Sequence, residues 1–252
     1  MQAYGEGFAR VYNLRWSGFA RQAAPPIFDY YQPAPIALSN PNVLDLCCGT
    51  GQLGLYFLER GYRVTGLDLS EAMLEYAREN AVDYIGGGRA RYERGDAAKF
   101  SLAEKFGLVF STYDALNHLE DLDALRQCFR SVYAALEPGG LFVFDLNTRL
   151  GLKRWNNVNV EESDDALIIT RGLYDGRGDR AWMKISGCVR VAGGTYQRFD
   201  EMVFNTAFEL AAVKRALGEA GWAQIHFARL QELAGEIEDP ERESRVFVVA
   251  WK

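Results

Sequence analysis

The chain has 252 residues, enough to bury one large core with a small appended layer. Its 48% hydrophobic and 25% charged residues are those of an ordinary globular protein, and no apolar run is long enough to span a bilayer. A net charge of −6 argues against a nucleic-acid substrate, and four cysteines without a C-x-x-C pair indicate neither a zinc site nor a disulfide framework. The first residues lack the apolar centre of a signal peptide, so a reducing, cytoplasmic setting is expected. From Tyr4 to Phe19, aromatic residues including Tyr4, Phe8, Tyr12 and Trp16 recur at helical spacing. This stripe is either a helix packed on the core or a lid. Val43–Leu46 reads as a short buried strand, followed by a turn holding Gly49, Gly51 and Gly54 in G-x-G-x-x-G spacing. Arg63–Leu69 is a second strand with Asp68 near its end, about twenty residues past the first glycine, where a ribose-gripping carboxylate belongs.

Ser70 is an N-cap for a helix through Met73, Leu74 and Ala77 to near Asn80. Arg91–Arg94 is the third strand and Leu108–Ser111, wholly apolar before its serine, the fourth. Leu122–Leu136 reads as an amphipathic helix and Leu141–Asp145 as the fifth strand. Residues 150–205 stand outside this alternation. Ala166–Thr170, Ala181–Val191 and Thr195–Phe204 read there as antiparallel strands with one covered and one open face. Thr206–Glu209 has the form of a capping box for a helix ending at Gly221. Ala223–Leu230 and Arg245–Trp251 are the last two strands. The fold expected is α/β: a Rossmann-like, doubly wound, seven-stranded and mostly parallel sheet, with a small antiparallel β insert acting as lid or dimer element.

Asp45 chooses among nucleotide cofactors. The glycine spacing alone permits an NAD(P)-dependent oxidoreductase, whose pyrophosphate would rest on this loop. A carboxylate four residues before Gly49, with no Lys or Arg from Val43 to Glu59, opposes a pyrophosphate. It suits a ligand carrying a sulfonium and an α-ammonium.

Asp45-Leu46-Cys47-Cys48-Gly49-Thr50-Gly51 resembles motif I of the class I S-adenosylmethionine-dependent methyltransferases, D-x-G-x-G-x-G, with Cys47 in place of the first glycine. Asp68-Leu69-Ser70 with Met73, Gly95-Asp96-Ala97, and Glu137-Pro138-Gly139-Gly140 are similar to later family segments, in order. The resemblance covers about three quarters of the chain. It implies S-adenosylmethionine as cofactor and S-adenosylhomocysteine as product. It further implies Asp68 on the ribose, Leu69 and Met73 against adenine, and Gly95, Asp96 and Ala97 in the adenine turn. Cofactor contacts are also expected from Tyr12, Asp45, Cys47, Gly49, Gly51, Ser111 and Tyr113.

The segments expected are residues 1–40 as an N-terminal lid, 41–149 with 206–252 as the cofactor-binding domain, and 150–205 as a substrate-covering insert or homodimer contact. His118, Asp114 and Tyr12 are candidate catalytic groups, for an unperturbed histidine side chain can titrate near neutral pH. Its bland reading is a helix-start residue partly exposed to water. Asn117, His118, Asn147, Arg149 and Trp155 are candidate substrate contacts near the carboxyl ends of strands four and five. The reaction expected is transfer of a methyl group to a nitrogen or oxygen of a small molecule, with neither nucleic acid nor membrane as partner. A non-catalytic S-adenosylmethionine-binding subunit is the other alternative. The adjacent Cys47 and Cys48 read as small packing residues rather than a redox pair.

Overall fold

Short apolar runs and amphipathic segments alternate along the chain, and burying both kinds of surface at once calls for helices on two faces of a sheet. The computed structural model describes residues 4–252. It begins with α1 (Glu6–Val11), a π-helical turn (Tyr12–Trp16), α2 (Gly18–Tyr31) and α3 (Pro35–Ser39). The nucleotide-binding half follows as β1 (Asn42–Leu46), α4 (Gln52–Leu58), β2 (Arg63–Asp68), α5 (Glu71–Asn80), α6 (Val82–Gly86), β3 (Ala90–Arg94) and β4 (Phe106–Ser111). Next come α7 (Leu122–Ala135), β5 (Leu136–Asn147), α8 (Arg149–Lys153), and the insert strands β6 (Val158–Ser163), β7 (Ala166–Leu173), β8 (Arg180–Arg190) and β9 (Tyr196–Thr206). The chain closes with α9 (Leu210–Glu219), β10 (Gln224–Ala228) and β11 (Arg245–Trp251).

The main sheet has seven strands in the order β3-β2-β1-β4-β5-β11-β10. Only β11 runs antiparallel to its neighbours, β5 and β10. Leu125, Phe129 and Val132 of α7 and Val213 and Leu217 of α9 bury against one face. Ile27 and Tyr31 of α2, Phe57 of α4 and Leu74 of α5 cover the other. β4 is buried along its whole length, as a central strand must be. The order of connection reverses between β1 and β4, and the crevice outside their carboxyl ends is where such sheets bind ligands.

The insert is a separate four-stranded antiparallel sheet, β6-β7-β8-β9. It has one strand more than the sequence suggests. β6 is an edge strand with every residue exposed, so burial imposes no pattern on it. A second difference is at Thr206, which is no helix cap. It is the last residue of β9, paired with Arg180, and its hydroxyl donates to the Leu119 carbonyl at 2.5 Å. α9 starts at Leu210, and its first amide donates instead to Glu241 Oε1 at 2.9 Å. The N-terminal stripe is not one helix either, because the π turn divides it. One extra residue per turn there redirects Tyr12 and Trp16, a device frequent at functional sites.

Candidate functional site

The floor of the site is the turn after β1. Cys47, Gly49 and Gly51 take left-handed φ values of 60°, 54° and 76°. Glycine accepts these freely, whereas Cys47 adopts the conformation at a cost of about 1–2 kcal/mol. Gly54 serves close packing: a Cβ there would stand 2.9 Å from Val64 Cγ1 and 3.1 Å from Asp45 Oδ2. Asp45 itself is buried and points under α4, where Oδ2 accepts the Gly54 amide at 3.1 Å. Burial pushes its carboxyl up to about 8, against the opposing Gly54 hydrogen bond. It does not line the cavity, so it shapes the loop from beneath rather than facing a ligand. Asp68 does face the cavity. Its two oxygens accept the Gly49 amide at 2.8 Å and the Ser70 amide at 2.9 Å, which fixes the carboxylate at the end of β2. Burial raises the Asp68 carboxyl, and these amides resist the rise.

One wall is the turn after β4. Tyr113 and Asp114 are left-handed at 67° and 50°, with no glycine to relieve them. The Asp114 amide donates to Asp145 Oδ2 at 2.9 Å, and Arg245 from the start of β11 reaches both carboxylates. A short 3₁₀ turn, Ala115–His118, then brings His118 to the cavity. Its Nε2 lies 3.3 Å from the Tyr4 hydroxyl. Burial lowers the imidazole, although Asp114 and the Phe204 carbonyl both favour its charged form.

The roof comes from the two segments outside the nucleotide-binding framework. Tyr4, Phe8, Tyr12 and Trp16 descend from the N-terminal helices, and Glu161, Met183, Ile185 and Val203 from the insert. Tyr12 sits over the loop, its ring carbon 3.6 Å from where a Cβ of Gly49 would be. Cross-links hold the roof in place: the Ser70 hydroxyl donates to Tyr4 O at 2.7 Å, and Arg15 donates to the Ser163 hydroxyl at 2.6 Å. The cavity, partly open to solvent, has a volume of about 400 Å³.

Of the residues singled out by sequence, Tyr12, Cys47, Gly49, Asp68, Leu69, Met73, Tyr113, Asp114, His118, Asn147 and Trp155 meet at this cavity. Others do not line it. Gly51 packs against Tyr92, its potential Cβ 3.0 Å from that hydroxyl. Gly95 donates its amide to the Asp68 carbonyl at 2.9 Å, Asp96 is exposed and accepts the Ala98 amide, and Ala97 is buried in the core. Ser111 is buried with no partner for its hydroxyl among the described residues. Asn117 is fully buried, tying β5 and β9 together through the carbonyls of Asn147 and Thr206 at 3.2 and 2.8 Å. Arg149 points away, clamping the 174–179 loop through Tyr174, Gly178 and Asp179. Its guanidinium is spent on that structural junction. Burial pushes the thiols of Cys47 and Cys48 up, which suits packing rather than redox chemistry.

Arg245 and Glu161 are the main residues that sequence reading passed over. Arg245 opens an apolar strand and Glu161 lies on the unpatterned edge strand, so neither carries a local signal. The lining fits a cationic cofactor. It presents Asp68, Asp114 and Glu161, and its one arginine is already committed to two carboxylates. A pyrophosphate would find no uncommitted cation among the described lining residues.

Residues 43–140 match the family model described as "Methyltransferase domain". The chain is 31% identical to the ubiquinone biosynthesis O-methyltransferase of Pseudomonas fluorescens, over 68% of this chain and 71% of that one. It is 27% identical to the dTDP-3-amino-3,4,6-trideoxy-alpha-D-glucopyranose N,N-dimethyltransferase of Streptomyces venezuelae, over 86% and 91% of the two chains. Its fold is shared by a solved S-adenosylmethionine-dependent methyltransferase of Clostridium acetobutylicum, at a TM-score of 0.77 and 24% identity, over 97% of each chain. The sheet order, the loop after β1 and these similarities converge: the chain belongs to the class I S-adenosylmethionine-dependent methyltransferases.

Proposed function

We propose that this methyltransferase acts on an amine nitrogen of a small polar molecule, with His118 as the general base. The observation that carries the reading is His118 Nε2 at the cavity wall, 3.3 Å from the Tyr4 hydroxyl, where burial disfavours the charged imidazolium. The carboxylates of Asp114 and Glu161 favour a positively charged acceptor over an anionic one. The amino-sugar N,N-dimethyltransferase of Streptomyces venezuelae, similar over most of its length, supports an amine.

When bound, S-adenosylmethionine supplies a methyl group already activated by its sulfonium. Asp68 would hold the ribose hydroxyls, Leu69 and Met73 would cover the adenine, and Tyr12 would face the methionine end. Asn147 and Trp155 border the acceptor. His118 Nε2 receives the proton that an ammonium acceptor must lose. The roof excludes water and aligns the reactants, and alignment is the larger part of the acceleration. Residues 4–40 would act as a cover and residues 150–205 as the acceptor-facing insert. The outer face of the insert exposes Val158, Val160, Leu173 and Met202, which supports a homodimer contact there. The four free cysteines support a reducing, cytoplasmic setting.

The test is radiolabelled methyl transfer to panels of amino sugars, other amines and hydroxylated metabolites. Transfer to an amine, with kcat in His118→Gln down by roughly 10²–10⁴-fold, is expected. Transfer confined to hydroxyl acceptors, or an unchanged rate in that variant, would overturn the reading.

A further inference from the structure

The turn after β4 holds two successive non-glycine residues, Tyr113 and Asp114, in a backbone region that L side chains seldom adopt. Nothing in the local sequence imposes it. The restraint comes from across the fold. Arg245 Nη2 donates to Asp114 Oδ1 at 2.6 Å, Arg245 Nη1 donates to Asp145 Oδ2, and that same oxygen accepts the Asp114 amide at 2.9 Å. The guanidinium also lies 4.9 Å from the ring centre of Phe19 and 5.7 Å from that of Tyr113. Those two rings are stacked, 4.7 Å apart and 13° from parallel. One side chain on β11 therefore grips the turn after β4, the end of β5 and the helix α2 behind the roof.

We propose that Arg245 is a positioning residue that holds the 113–114 turn in its binding shape and couples it to the N-terminal cover. The proposal goes beyond the acceptor chemistry above and rests only on this turn forming a wall of the cofactor cavity. A planar fork can bridge two carboxylates and still stack on an aromatic pair, which an ammonium cannot do. Charge balance alone does not account for the arrangement, because buried ion pairs stabilise little compared with apolar replacements.

The experiment measures two quantities on each variant of the full chain: S-adenosylhomocysteine affinity by calorimetry and the thermal midpoint. Arg245→Lys keeps the charge and loses the fork; its midpoint stays near that of the parent while affinity falls about tenfold. Arg245→Met lowers both. Arg245→Met combined with Asp145→Asn removes the buried charge together with the more buried of its two carboxylate partners, Asp114 remaining; it recovers part of the midpoint and none of the affinity. Parent-like affinity in the lysine variant, or recovery of affinity in the double variant, overturns the proposal. The lysine and double variants carry the test if Arg245→Met fails to fold. The readout is blind to the acceptor, so its failure and a failure of the His118 assignment are told apart.

Discussion

Two turns stand side by side at the carboxyl ends of β1 and β4, and both place left-handed residues against the same cavity. The first uses Gly49 and Gly51, with a single exception at Cys47. The second uses Tyr113 and Asp114 and no glycine. Each turn is held by a buried aspartate that accepts a backbone amide: Asp45 takes that of Gly54, and Asp145 that of Asp114. Among the described residues Asp45 has no cation beside it, and its carboxyl is pushed up to about 8 by burial. Asp145 is likewise raised by burial, but Arg245 opposes the rise. The difference is between a turn whose shape is written in its own residues and one imposed by a distant strand.

The largest expected effect separates the two aspartates by pH. Burial pushes the Asp45 carboxyl up to about 8 in the fold, against about 3.9 for an unfolded aspartate, so the folded state binds the extra proton between those values. Its stabilising contribution is complete below about pH 4 and is lost as the pH rises towards 8, at a slope approaching ~1.4 kcal/mol per unit. Urea unfolding across that range should show the slope in the parent and a flatter one in Asp45→Asn. Equal slopes would mean that Asp45 keeps its charge in the fold.

Asp145→Ala comes next. It strands part of the Arg245 guanidinium and the Asp114 amide, and a broken buried pair costs about 3–5 kcal/mol. A loss under 1 kcal/mol in denaturant midpoint analysis would show the second turn to be held by something other than the arginine cluster. Asp68→Ala should weaken S-adenosylhomocysteine binding by about 1.5–3 kcal/mol, since charge-assisted hydrogen bonds of that size are removed. Calorimetry that finds unaltered affinity would detach Asp68 from the cofactor.

The smallest effect is the most direct comparison. Cys47→Gly relieves a strained φ and should be neutral or stabilising by up to about 1 kcal/mol. Asp114→Gly relieves the same kind of strain yet should destabilise, because it removes a carboxylate from Arg245. Thermal melts of the two variants that shift in the same direction would erase the distinction between the turns.

The same contrast marks how far the sequence could be read. Val43–Leu69 is legible because strand, turn, helix and strand are each specified by neighbours in the chain, and five of the six parallel strands lie within about two residues of their expected bounds. Asp68 and Gly49, brought together by a 2.8 Å hydrogen bond, could be paired from spacing alone. Asp45 was identifiable as a member of the site, but its direction was not. Whether a side chain at the end of a buried strand faces the ligand or the helix beneath depends on the pleat and on Gly54. Arg149 and Asn117 looked like substrate contacts because they follow strand ends, yet loops returning from the insert and from β9 claim their hydrogen bonds.

By itself the sequence determined the parallel framework, the glycine loop and the carboxylate that closes it, because these follow from short-range periodicity and backbone sterics. The tertiary structure alone decided the second turn, the roof and the arginine that links them. Arg245 meets Asp114 across 131 residues and Asp145 across 100, and Tyr4 meets His118 across 114. No local pattern encodes a contact at such separation. It arises when strand order brings β11 beside β5, and when the insert and the N-terminal helices fold over the same crevice.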